Sequence, residues 1–377
     1  MINNRGWKKI PVAKAYIDEV DIDKIIELLK YGDLFTGVLH NSLEKKLSKY
    51  FGIKYVCAVS SGTAGLHLAI KSLGIKAGDE VITSPFSFIS SVNCILYEGA
   101  KPIFVDIEEE TFNIDCTKIE SAITSKTKAI LVPHIFGQPA EMDRILKVAK
   151  KYRLKVIEDA CESIGATYKG MKVGSIGDVG VLSFAPNKQV ASAEGGAIMT
   201  DSSNIYELSC SLRNLGRLKD DRNMIYNKLG YNYKMSQISA SLSITQLKKI
   251  NMIIEKRRKI AKWYDYYIGS IPNILLPKVK NGSTHSFFAY SIRITNGDRN
   301  RVRSYLRKKG IETRIYFSPL HLQPFIKKSF GFKKGNFPIT ERVSKEILAL
   351  PIFVELGKDR VRYVSQQIRQ FMLTRDI

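Results

Sequence analysis

The stretch SFAPNKQVASAEGGAIMT, residues 183–200, sets one lysine, Lys188, between an apolar run and a Gly-Gly pair. The run GDVGVLSFA that leads into it reads as a buried strand, and GGAIMT reads as another. Too few residues separate them for a helical crossover, so an antiparallel, hairpin-like pair is expected. Most other lysines of the chain fall in exposed-looking charge runs. A lysine at a strand end suits attachment of a cofactor as a Schiff base. It then needs three supports: a group that keeps the cofactor ring electron-poor, an anchor for a phosphate, and a surface that holds the ring flat.

Working outward, residues 54–160 alternate short apolar runs with helical patterns. YVCAVSSGT, EVITS, KPIFVDI, KAILVPHIF and LKVIEDA read as strands; AGLHLAIKSLG, residues 88–98, IESAI and AEMDRILKVAKKY read as helices. This alternation predicts an α/β fold with a mostly parallel central sheet covered by helices. Ahead of it, residues 21–31 form an amphipathic helix candidate with Ile22, Ile25, Ile26, Leu28 and Leu29 on its apolar side, and residues 41–50 form another. Behind it, a helix over 204–215 and a polar, turn-rich stretch over 217–234 precede one long helix over 235–267. From about Gly269 the chain builds a smaller α+β part, with FFAYSIRI and ETRIYF as strands and helices over 298–309 and 359–372. The division is a large domain, residues 1–250, and a small C-terminal domain, residues 251–377.

The three supports are present. Asp159 ends the strand LKVIEDA, at the carboxyl edge where α/β sheets place ligands, and can pair with a ring nitrogen; alone, it could equally cap the next helix. The turn Ser61-Gly62-Thr63-Ala64 opens a helix after a strand and offers backbone N–H groups to a phosphate, with the Ser183 hydroxyl beside it. This is neither a GxGxxG nor a P-loop pattern. Phe88, after EVITS, can stack on a ring, although a core role fits its residue type as well. His134 and His321 are candidates for contact with the substrate, against the plainer role of structural histidines.

Composition narrows the class. The 377 residues carry 44% hydrophobic and 25% charged residues, ordinary values for a globular protein. No apolar run reaches the length of a membrane span, and the basic N-terminus lacks a following apolar segment, so a cytoplasmic protein is expected. Five scattered cysteines without a CxxC pair argue against a disulfide framework, and no metal-ligand motif occurs. The net charge of +23 is dispersed and lacks any nucleic-acid motif. It reads as a lysine-rich solvated surface, or as a field that attracts anionic small molecules, ahead of a nucleic-acid partner.

SSGTAGLHLA, PFSFISSVNCILYEGAKPIFVDI, IEDACESIGA, GDVGVLSFAPNKQ…EGG, GYNYKMSQ and IETRIYFSPLHLQPF together resemble the DegT/DnrJ/EryC1/StrS sugar aminotransferases, in the family's order from about Gly32 to Leu350. The resemblance implies a type I aminotransferase fold dependent on pyridoxal 5'-phosphate (PLP). It implies a nucleotide-linked keto sugar as amino acceptor, L-glutamate as donor, and a homodimer with active sites at the interface. By position, Lys188 matches the Schiff-base lysine, Asp159 the partner of the pyridinium, and Phe88 the stacking aromatic. Gly62, Thr63, Ala64 and Ser183 match the phosphate cup, and Asn232 matches a residue reaching the phosphate from the neighbouring subunit. Glu162 stands where glutamine or histidine is frequent, beside the ring's phenolic oxygen, and resembles the perosamine-type branch that makes 4-amino sugars. Ala185 and Ala193 depart from the commoner aromatic and glycine. Related readings are a 3-keto sugar aminotransferase and a dehydratase on the same fold. The dehydratases resembled carry histidine at the lysine position, which this chain does not. A non-catalytic binding protein would have no use for the Lys188–Asp159 pairing.

Overall fold

The computed structural model describes residues 9–32, 34–35, 37–217 and 225–374. Its strands are β1 Tyr55–Val59, β2 Glu80–Thr83, β3 Lys101–Phe104, β4 Thr127–Pro133, β5 Lys155–Asp159, β6 Thr167–Tyr168, β7 Met171–Lys172, β8 Val179–Ser183, β9 Gly196–Thr200, β10 Ile274–Leu275, β11 Ser283–Thr284, β12 Tyr290–Ile294 and β13 Ile347–Leu350. Seven of them form one sheet in the order β1-β9-β8-β5-β4-β2-β3. The pairs β2–β3, β2–β4, β4–β5 and β5–β8 are parallel, and β9 runs antiparallel to both β8 and β1. The hairpin expected around Lys188 is therefore present, with Ser183 opposite Gly196.

The apolar runs become strands because both sheet faces are covered. Val81, Ile82, Leu131, Ile157, Val181 and Leu182 are fully buried. Among the covering helices are α3 Gly62–Ser72, α4 Ser90–Tyr97, α5 Met142–Tyr152 and α6 Ser203–Arg213, while α1 Glu19–Tyr31 and α2 Val38–Phe51 precede the sheet. Gly180 is obligatory in β8: a Cβ there would lie 1.9 Å from the Gly174 carbonyl oxygen. Because the strands from β2 to β8 run the same way, the ends of β2, β4, β5 and β8 open on one rim, where a ligand can reach several loops at once.

The second core gathers Ile10 with residues from Ile260 to Ile368 around the antiparallel sheet β10-β12-β13. Helix α8 Ile250–Ile268 serves both cores, with Ile254 in the first and Ile260 in the second. It does not continue unbroken from residue 235. The helix α7 Gln237–Lys248 ends first, Lys249 adopts φ −98° and ψ −1°, and its amine reaches Asp21 at 2.8 Å. The ion pair ties this break to the cap of α1, whose Asp18 and Asp21 form a capping box.

Two further expectations change. ETRIYF is not a strand; residues 311–317 are irregular and touch neighbours through the isolated bridges Ile10–Ile311 and Arg314–Ala349. IESAI reduces to a single 3₁₀ turn, Glu120–Ala122. On α1, Leu28 is buried, but Ile22, Ile26 and Leu29 are 42%, 43% and 56% exposed, so its apolar stripe faces outward. Part of the polar stretch after residue 217 lies outside the described residues.

The segment between the cores carries a pH-sensitive group. His285 is buried, its Nδ1 accepts the Phe287 N–H at 2.8 Å, and its ring stacks on Phe287 at 4.0 Å. Burial, with Arg258 adding to it, pushes its pKa down to about 3. The unfolded histidine titrates near 6.5, so between these values the unfolded chain binds the extra proton. Stability is then fully present above pH 6.5 and falls by about 1.4 kcal/mol per unit as the pH drops toward 3. Urea midpoints measured at pH 7.5, 6 and 5 should show this loss, and His285→Asn, which keeps an acceptor, should flatten it.

Candidate active site

Lys188 lies in the hairpin loop between β8 and β9, where its N–H closes a turn on the Ala185 carbonyl at 2.9 Å. Its side chain is only 11% exposed. Nζ stands 3.6 Å from Glu162 Oε1 and 4.1 Å from the centre of the Phe288 ring. Surface lysines such as Lys151 are 63% exposed, so the position is distinct from the chain's charge runs.

Asp159 ends β5 and is buried. Ser91 Oγ donates to Oδ2 at 2.6 Å, the Cys161 N–H donates to Oδ1 at 3.2 Å, and Ser87 meets Ser91 at 2.8 Å. No ion pair reaches this carboxylate among the described residues. A buried carboxylate with hydrogen bonds but no counter-ion is costly, and a cationic ligand group would relieve that cost. The sequence reading did not single out Ser91; the i, i+4 spacing of Ser87 and Ser91 beyond β2 was the available signal.

The turn Ser61–Ala64 opens a helix directly after β1. Ser61 caps α3 by accepting the Ala64 N–H at 3.1 Å. Ala64 is thus engaged by the cap, whereas Gly62 and Thr63, with no carbonyl behind them in the helix, line the cavity. A Cβ on Gly62 would come within 2.9 Å of both Ser183 Cβ and Cys161 Sγ, so only glycine lets the turn meet the end of β8. Ser183 itself is buried against this turn.

These groups surround a cavity of about 350 Å³. Phe88 stands on its wall with 58% of its surface exposed, an open aromatic face rather than a core side chain. Glu162 also lines it, with Oε2 accepting the Phe136 N–H at 3.0 Å. Burial raises its carboxyl pKa, and Lys188 pulls partly the other way. Burial likewise pushes the Cys161 thiol well above its ordinary range, so it is no nucleophile at neutral pH.

The two histidines differ. His134 borders the cavity, but its Nδ1 accepts the Ala140 N–H at 3.1 Å and its Nε2 faces Glu158 at 3.1 Å. Both ring nitrogens are spent on the fold, and its backbone N–H donates to the Asp159 carbonyl at 3.1 Å, so it braces the end of β5. His321 is not among the wall residues; it is buried against Phe337 and Glu341. Asn232 is exposed, bridges to Asn214 and also lies off the wall. The small-domain side of the wall, Phe288, Arg314, Tyr316 and Phe317, was not anticipated.

No group of three or more potential metal ligands occurs among the described residues, the five cysteines are free, and no helix is long and apolar enough to cross a membrane.

Comparison with known proteins agrees with this geometry. The DegT/DnrJ/EryC1/StrS aminotransferase family model matches residues 15–369. GDP-perosamine synthase of Escherichia coli O157:H7 is 37% identical over 87% of this chain and 88% of its own. UDP-N-acetyl-3-dehydro-alpha-D-glucosamine 3-aminotransferase of Acidithiobacillus ferrooxidans is 32% identical over 94% of each. Spr1654 of Streptococcus pneumoniae, solved in a PLP form, superposes with a TM-score of 0.92 at 27% identity, over 97% of this chain and 99% of that one.

The residues fit PLP: an orphaned buried carboxylate for the ring nitrogen, an open aromatic face, and a glycine turn at a helix start beside a serine. The family match over residues 15–369, with a relative 37% identical, shows that this chain belongs to the DegT/DnrJ/EryC1/StrS aminotransferase family and is a PLP-dependent sugar aminotransferase.

Proposed function

We propose that the enzyme moves the amino group of L-glutamate to the 4-keto carbon of a nucleotide-linked 4-keto-6-deoxy hexose, giving an amino sugar for cell-surface polysaccharide or related glycosides. The observation that carries this reading is a largely shielded Glu162, 12% exposed, facing Lys188 in a chain 37% identical to a GDP-perosamine synthase. The 3-aminotransferase relative, at 32% identity, supports a second reading with a 3-keto substrate. A cytoplasmic homodimer accompanies the proposal. The outward stripe of α1 and the 85% and 65% exposure of Tyr31 and Val38 leave apolar surface for a second copy to cover. The division at residues 250 and 251 is likewise proposed, with α8 starting the small domain.

When bound, PLP supplies an electron sink for the carbon that loses its proton. Asp159 would hold the positive ring nitrogen, Phe88 would cover a ring face, and Gly62, Thr63 and Ser183 would hold the phosphate. Asn232 would reach the phosphate of the neighbouring subunit, which accords with its exposure and its place off this chain's own cavity. Lys188 Nζ carries the proton. As a free amine it removes it from the donor's α-carbon, and in the second half-reaction it delivers one to the former carbonyl carbon of the sugar. Glu162, held by the Phe136 N–H, faces Nζ at 3.6 Å.

Asp159→Asn should lower the rate of the glutamate half-reaction by about 10²–10³-fold, because it removes a preorganised charge at the developing carbanion. Cofactor retention should weaken as well, so the rate is taken per bound cofactor, and single-turnover absorbance measures both. Mass spectrometry on a panel of GDP-, UDP- and dTDP-linked keto sugars with glutamate should find amino sugar from a 4-keto-6-deoxy substrate. Preference for a 3-keto substrate would favour the second reading.

A further inference from the structure

We infer that Arg314 anchors a pair of anionic oxygens on a reactant, an inference that rests on the aminotransferase reaction proposed above. Both reactants of that reaction are anions: an amino donor with two carboxylates and a sugar carrying a diphosphate. The cavity opposes them. Its wall presents the carboxylates of Asp159, Glu162 and Glu194 against only two cationic side chains, Lys188 and Arg314, among the described residues. Lys188 has to shuttle a proton and spends part of the cycle neutral, so it cannot act as a lasting counter-ion.

Arg314 is suited to that task. It is exposed, and among the described residues it makes no ion pair or side-chain hydrogen bond. Its position is nevertheless fixed: its N–H donates to the Ala349 carbonyl at 3.1 Å, and the Ala349 N–H donates to its carbonyl at 2.8 Å. Ala349 belongs to β13, so the arginine springs from sheet-held backbone rather than a free loop. Close by, Phe317 stacks on the buried Phe136 at 5.6 Å, making the apolar part of the same wall. A guanidinium presents a planar fork that matches two oxygens of a carboxylate or a phosphate, which a lysine would meet only as a point charge. The donor's carboxylate and the nucleotide's diphosphate share this chemistry.

Arg314→Gln and Arg314→Lys, in the full-length holoenzyme, separate the two sources. One arm titrates L-glutamate alone and follows the loss of the visible absorbance of bound cofactor. The other measures binding of GDP, UDP and dTDP by calorimetry. Loss of a charge-assisted pair should weaken one arm by ~10–100-fold in the glutamine variant, with partial recovery in the lysine variant. Weakening of the glutamate arm identifies the carboxylate, and weakening of the nucleotide arm identifies the diphosphate. Cofactor content and thermal midpoint should match the wild type, as a merely structural arginine would not allow. If both arms stay within about twofold while the wild type converts glutamate normally, Arg314 is not the anchor. If the wild type neither converts glutamate nor binds a nucleotide, the proposed reaction fails and this role with it.

Discussion

The site depends on a carboxylate buried without a counter-ion. Asp159 is 8% exposed, accepts hydrogen bonds from Ser91 and Cys161, and has no cation paired with it among the described residues. Removing such a charge from water costs several kcal/mol unless a partner compensates it. The surroundings keep the carboxylate in place: β4 and β8 flank β5, His134 braces the strand end, and the Ser87–Ser91 pair fixes one oxygen. The fold therefore stores an unmet demand for positive charge at one rim of its sheet. A protonated pyridine nitrogen would meet that demand, so the proposed function links cofactor retention to the same residue.

The lysine is brought there by the β8–β9 hairpin. A parallel crossover would have carried the chain to the far face of the sheet, whereas the tight antiparallel return keeps residues 184–195 over the rim. Lys188 then meets opposing influences. Glu162 and the face of Phe288 lie against its Nζ, at 3.6 Å and 4.1 Å, while proton abstraction requires the free amine. Burial raises the pKa of Glu162, and the neighbouring Lys188 works partly against that rise. Although the chain's net charge is +23, the cavity wall bears more carboxylates than cations among the described residues.

Much of this was legible in sequence because it is local. Strand ends followed by small residues mark Asp159, Ser183 and the Ser61–Ala64 turn, and the short spacing between GDVGVLSFA and GGAIMT dictates the hairpin. The small-domain wall was hidden because Phe288, Arg314, Tyr316 and Phe317 sit on backbone with no period to read. ETRIYF has β-type composition yet touches its neighbours only through isolated bridges. The break at Lys249 carries no glycine or proline and rests on an ion pair to residues more than two hundred positions away. The stripe on α1 shows the same limit: the pattern of Ile22, Ile26 and Leu29 announces an apolar face but does not say what covers it.

The central claim, that Lys188 carries the cofactor, is tested most directly by borohydride reduction of the purified enzyme followed by peptide mass mapping. The account predicts loss of the visible absorbance and a stable cofactor adduct on the peptide containing Lys188. An adduct on any other lysine, with Lys188 unmodified, would contradict it.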